Sequence, residues 1–112
     1  MPRDDQERLE DALEAARLAV QFGTGLSLQE LLADPRSLAA IKYELVVLGE
    51  AVSGLTQETL NRAPDLPWRQ MRGLRNVVTH EYFRVDVGVV HQLVTSDLPE
   101  LIPQFVQLLE NS

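Results

Sequence analysis

The chain has 112 residues, 45% of them hydrophobic, with a formal net charge of −7, which suits one domain over residues 1–112 with a real core. The absence of cysteine excludes disulfides, thiolate catalysis and cysteine-held zinc or iron–sulfur sites. Two histidines, His80 and His91, are too few for a histidine-rich metal site.

The opening run from Met1 to Glu7 is charged, which argues against a secretory signal. No apolar run approaches the roughly 20 residues that cross a bilayer. A soluble, cytoplasmic protein without a membrane partner is therefore expected. Asp4 and Asp5 are placed to cap a first helix reaching about Phe22, with Leu9, Ala12, Leu13, Ala16, Ala19 and Val20 inward and Gly23 and Gly25 ending it. Ser27 and Glu30 have capping-box spacing for a short helix. Asp34-Pro35 reads as N-cap plus first-turn proline, opening a long helix to about Gly54. A turn of helix over Gln57 to Ala63 is broken by Pro64-Asp65-Leu66-Pro67, and Pro67 starts a helix to about Tyr82. Asp86 caps another helix, and Pro99 bends or restarts the chain into a last segment with Leu101, Ile102, Phe105, Leu108 and Leu109. The expected fold is an all-α bundle of four to five main helices.

The helix after Asp34 is apolar twice over. Leu38, Ile41, Leu45, Leu48 and Val52 form one stripe; Ala39, Tyr43, Val46 and Val47 form another, roughly opposite, with Glu50 among them. Two apolar faces point to a homodimer interface, the alternative being that one subunit buries both.

Half of the ten basic residues lie between Arg62 and Arg84, all of them arginine: Arg62, Arg69, Arg72, Arg75 and Arg84. Against Asp65 and Glu81 they give this stretch a charge of +3 and leave −10 elsewhere. A locally cationic site on an acidic protein is the reading, and an ordinary surface fluctuation is its rival. At helical spacing Met71, Leu74 and Val78 form the core face, while Arg75, Thr79, Arg72, Asn76, Arg69 and His80 follow one another around an arc of about 140°. Asn76 lies four residues before His80 and can orient its imidazole. Guanidinium groups suit phosphate oxygens and stabilise charge growing on a phosphorane. Imidazole exchanges protons near neutral pH. RNA supplies its own nucleophile, the 2′-hydroxyl. Arg75, His80 and the orienting Asn76 are thus sufficient for metal-free RNA cleavage, with Arg72, Arg69 and Thr79 binding substrate. Two copies of the helix across a dimer axis would enclose a groove and supply two histidines, one as base and one as acid. No cofactor and no metal site is expected. Trp68 reads as a core anchor, or as a stacking platform for a base if exposed. Glu50 reads as an ion-pair partner for an arginine across the dimer. Glu7, Glu10, Asp11 and Glu14 read as a solvated carboxylate face rather than metal ligands.

The run Arg75-Asn76-Val77-Val78-Thr79-His80-Glu81-Tyr82 resembles the Arg, four residues, His, any residue, Tyr pattern of the HepT family of HEPN-domain proteins. Leu48-Gly49-Glu50-Ala51, Leu66-Pro67-Trp68, Tyr82-Phe83, Val85-Asp86 and Asp97-Leu98-Pro99 extend the likeness. The resemblance implies a helical HEPN homodimer with the motif at its interface, and an RNA-cleaving toxin independent of metal. By the same resemblance Arg75 and His80 match the catalytic pair and Asn76 the polar residue beside the arginine. Tyr82 matches the tyrosine that a partner nucleotidyltransferase antitoxin of the MNT type modifies with AMP; a phosphodiester there adds negative charge and bulk where substrate phosphates must sit. His91 departs from the family, whose members often carry Trp, and reads as a packing or surface residue. The alternative to an enzyme is a non-catalytic HEPN dimer that binds a nucleotide or a nucleotidyltransferase as a scaffold.

Overall fold

The computed structural model describes residues 1–80 and 86–111, apart from the side chains of residues 77–80. Within these residues the chain is an all-α bundle: α1 (Arg3–Gly23), α2 (Leu28–Leu32), α3 (Pro35–Ser53), α4 (Gln57–Arg62), α5 (Trp68–His80), α6 (Val87–Gln92), a π-helical turn (Leu93–Asp97) and α7 (Leu98–Glu110). Among the described residues no helix is long and apolar enough to cross a membrane.

Several helix starts follow from local chemistry. Ser27 Oγ accepts from the Glu30 amide while Glu30 reaches back to the Ser27 amide, completing the capping box of α2. Asp34 accepts from the Ser37 amide and hydroxyl, with Pro35 at the first turn of α3. Asp86 accepts from the Gly88 amide at the start of α6. Gly25, with φ of 78°, takes the left-handed turn that leads from α1 to α2.

The start of α1 differs from expectation. Neither Asp4 nor Asp5 caps it; Pro2 holds the cap position with no side-chain bond. Asp5 instead points inward, 1% exposed, and accepts from the Thr56 amide, the Thr56 hydroxyl and the Thr59 hydroxyl. A carboxylate met by three donors is better satisfied there than on a solvated helix end, so it ties α1 to α4. Burial pushes the Asp5 carboxyl up, but the two hydroxyls, the Thr56 amide and the Arg8 charge outweigh it, leaving its pKa below the ordinary value.

Helix α3 is central, packed by both α1 and α5, and α7 lies against α1. Its first stripe is core: Ile41, Leu45, Leu48 and Val52 are buried against Leu9, Ala12, Ala16 and Ala19 of α1. Among the described residues its second stripe is covered only in part: Val46 and Val47 are half-buried against the core, Ala39 is exposed and Tyr43 is 66% exposed. Trp68 is buried, donates from Nε1 to the Ala63 carbonyl at 2.8 Å and meets Phe105 of α7 edge-on, with ring centroids 6.1 Å apart. It is a core anchor rather than a platform for bases.

Residues 87–110 form one continuous helical run. Proline 99 has no N–H to return to the preceding turn, and the run widens just before it, with the Leu98 amide reaching the Leu93 carbonyl. Gly23 seats the end of α1 on this widened turn, since a Cβ there would meet Val94 Cγ2 at 2.8 Å. His91 is structural in this setting: its Nε2 donates to the Leu26 carbonyl at 3.0 Å and fixes α6 to the α1–α2 connection.

Candidate functional site

Helix α5 divides its residues as its spacing dictates. Met71 and Leu74 are buried toward the core, while Arg69, Arg72, Arg75 and Asn76 are all exposed. Four of the polar residues read from the sequence are therefore gathered on the outer side of one helix. The side chains of Thr79 and His80, and Tyr82 altogether, lie outside the described residues, as do Arg84 and Val78's contribution to the core face.

The position of Arg75 is set from α3. Gly49 is buried, and a Cβ on it would lie 3.0 Å from the Arg75 backbone nitrogen and 3.3 Å from the Met71 carbonyl oxygen. A Cβ at this position would be crowded by both backbone atoms, so glycine suits the close approach of the two helices. The next residue, Glu50, then meets the guanidinium: Arg75 Nε lies 2.9 Å from Glu50 Oε1. The acid expected to find an arginine on another subunit finds one in its own chain. Glu50 is legible in the sequence as an acid within an apolar stripe, whereas Gly49 carries no signal beyond its place in Leu48-Gly49-Glu50.

Beside Glu50 a groove of 550 Å³ runs between α1 and α3, floored by Ala15, Leu18, Val46, Val47 and Ala51 and edged by Arg8, Asp11, Glu14, Tyr43 and Glu44. Burial, with the Glu14 charge adding to it, holds the Glu44 carboxyl above its ordinary pKa. The outer acids Glu7, Glu10, Asp11 and Glu14 are exposed. Among the described residues no three acids or histidines stand close enough together to hold a metal ion. Chemically, the arrangement offers a row of guanidinium groups to an anion, one of them fixed by a carboxylate at its Nε.

Comparison with known proteins converges on one family. The model of the ribonuclease HepT-like family matches residues 12–108. A Thermococcus cleftensis protein described as a probable ribonuclease HepT is 32% identical over 108 residues, covering 96% of this chain and 98% of its own length. A protein of Methanocaldococcus jannaschii, provisionally described as an RNase, is 29% identical over 112 residues, covering 99% of this chain and 93% of its own. A third, from Caldanaerobacter subterraneus and likewise provisionally an RNase, is 28% identical over 102 residues and covers 91% of each chain. No solved structure matches the chain.

Proposed function

Since the chain belongs to the ribonuclease HepT-like family, we propose that it is an endoribonuclease toxin that cleaves RNA without a metal ion. It works as one domain over residues 1–112, in the cytoplasm. The observation that carries this reading is the exposed arginine row of α5 with Arg75 fixed at the α3 crossing. Such a row attracts a phosphate backbone locally even on a protein of net negative charge.

In the proposed reaction His80 takes the proton of a 2′-hydroxyl, whose oxygen attacks the adjacent phosphorus. The bond from phosphorus to the 5′-oxygen breaks, and His80 of a second copy gives that oxygen its proton. Arg75 stabilises the charge gathering on the phosphorane, Asn76 orients the imidazole, and Arg72, Arg69 and Thr79 hold the strand. The products are a 2′,3′-cyclic phosphate and a 5′-hydroxyl. A homodimer supplies the two histidines, and the partly exposed stripe of α3, with Tyr43 open and Val46 and Val47 half-buried, supports such an interface. The partner is a nucleotidyltransferase antitoxin of the MNT type, which silences the enzyme by moving AMP from ATP onto the Tyr82 phenol with release of pyrophosphate.

The test is cleavage of RNA in EDTA by the wild type, Arg75→Ala and His80→Ala. Loss of cyclic-phosphate product in both variants is expected. Equal cleavage by all three proteins would end the proposal. For Tyr82, intact mass after incubation with ATP and the antitoxin should rise by AMP units, and a Tyr82→Phe protein gaining the same mass would move the site elsewhere.

A further inference from the structure

We infer that Glu50 is a positioning residue for Arg75: it fixes the guanidinium plane for the phosphorane and accepts weaker RNA binding in return. The inference rests on the ribonuclease reading above and assigns that site a residue on a different helix.

Three observations lead to it. The contact is short and made through Nε, 2.9 Å from Glu50 Oε1. A charge-assisted contact at Nε restrains the rotation of the planar group about its stem. The pair is also too open to be there for stability. The two side chains are 57% and 52% exposed, and ion pairs this solvated contribute about 0–1 kcal/mol. Finally, the contact stands next to a close helix crossing, where a Cβ on Gly49 would lie 3.0 Å from the Arg75 backbone nitrogen, so the crossing itself brings Glu50 and Arg75 together.

The electrostatic sign makes the idea specific. A carboxylate beside a phosphate site repels the substrate, and Glu50 stands at a groove already holding Asp11, Glu14 and Glu44. A residue present only to bind RNA would not be acidic. A residue that trades ground-state affinity for the angle of a guanidinium in the transition state can be.

The experiment measures kcat and KM on an unstructured RNA oligonucleotide in EDTA, alongside the nitrogen-15-resolved Nε–H signal of Arg75, assigned by its loss in Arg75→Lys. Glu50→Ala is expected to lower kcat about tenfold or more, in line with the cost of misplacing a reacting group, while KM falls. Glu50→Gln keeps an acceptor for Nε, so it should recover most of kcat and bind RNA about threefold more tightly, the gain from removing one charge some 6 Å from a phosphate in water. The urea midpoint of Glu50→Ala should stay near that of the wild type, as expected for an ion pair this exposed. The Arg75 Nε–H should exchange slowly with solvent in the wild type and quickly in Glu50→Ala.

Wild-type kcat in Glu50→Ala, with Arg75→Ala inactive, overturns this inference and leaves the ribonuclease reading standing. An Nε–H signal indifferent to Glu50→Ala overturns it as well. Equal cleavage by wild type and Arg75→Ala sinks the ribonuclease reading instead, and the Nε–H signal alone then decides whether Glu50 holds Arg75. A kcat loss that comes with a lowered urea midpoint and an unchanged Nε–H signal assigns Glu50 a purely structural role and sinks the inference.

Discussion

A Cβ on Gly49 would stand 3.0 Å from the backbone nitrogen of Arg75, so α3 and α5 meet backbone to backbone at the guanidinium-bearing residue. Gly73, on the same helix α5, has nothing within 4 Å of its own Cβ position among the described residues. The two glycines should respond oppositely to substitution. Gly49→Val is expected to cost about 2–3 kcal/mol by overpacking and to reduce cleavage by moving Arg75. Gly73→Ala should gain about 0.5–1 kcal/mol through helix propensity. Urea unfolding of both variants checks the pair, and equal effects would contradict the crossing described.

Asp5 predicts an acid-sensitive latch between α1 and α4. Its folded pKa is lowered, so the unfolded chain binds the proton more readily. The stability it contributes is complete above the unfolded value of about 3.9 and is lost as pH falls through the folded value. Asp5→Ala leaves the buried Thr59 hydroxyl without its acceptor, at a cost of about 1–3 kcal/mol at pH 7. The difference between wild type and variant should shrink on acidification, which urea titrations at neutral and acid pH measure.

Glu44 predicts the reverse. Its folded pKa is raised, by burial first and then by Glu14. Its stabilising influence is fullest below the unfolded pKa and is lost as pH rises through the folded one. Glu44→Gln should therefore stabilise the protein at pH 7, by under about 1 kcal/mol, with no gain in acid. Loss of stability at pH 7 would show that the charge is welcome in the groove.

Trp68 is the single tryptophan, and it is buried with its Nε1–H on Ala63. Its emission should be blue-shifted, and saturating RNA should not quench it by stacking. Trp68→Phe forfeits the indole hydrogen bond and is expected to cost about 1 kcal/mol or more. Strong quenching by RNA would place a base where the structure puts Phe105.

Arg69 and Arg72 are exposed on α5 and should act as phosphate contacts. Replacing either by Ala should weaken binding to RNA of any sequence, lowering the slope of log affinity against log salt by somewhat under one unit per contact for single strands. An unchanged slope would remove that arginine from the interface. Anisotropy with a 2′-O-methyl oligonucleotide, which binds without being cleaved, gives the measurement.

Much of the architecture could be read directly from the chain because its signals are local. Ser27 with Glu30, Asp34 with Pro35, and Asp86 each announce a helix within four residues, and each does so in the structure. Asp5 escaped because its partners, Thr56 and Thr59, lie some fifty residues away and no local pattern distinguishes a capping aspartate from a buried one. The widened turn before Pro99 was also hidden: Val90, Val94, Leu98, Leu101, Phe105 and Leu108 all suit an ordinary helical period, and the proline alone hinted at a break. At the candidate site, the exposed side of α5 was legible from spacing and its arginine content. What spacing could not supply was the neighbour: Glu50 was visible as an acid out of place, but which arginine it meets depends on how α3 crosses α5.

Exposed acids outnumber the exposed Arg3, Arg8 and Arg17 on α1, α5 carries Arg69, Arg72 and Arg75 with no acid of its own, and both helices lean on α3. A long polyanion drifting toward the α1 flank is turned back, while one arriving over α5 is drawn in. Such a layout is expected to sort encounters by direction before any chemistry begins and to limit indiscriminate binding of nucleic acid. Ionic strength should blunt this sorting from both sides, easing repulsion on one flank while it loosens the grip on the other.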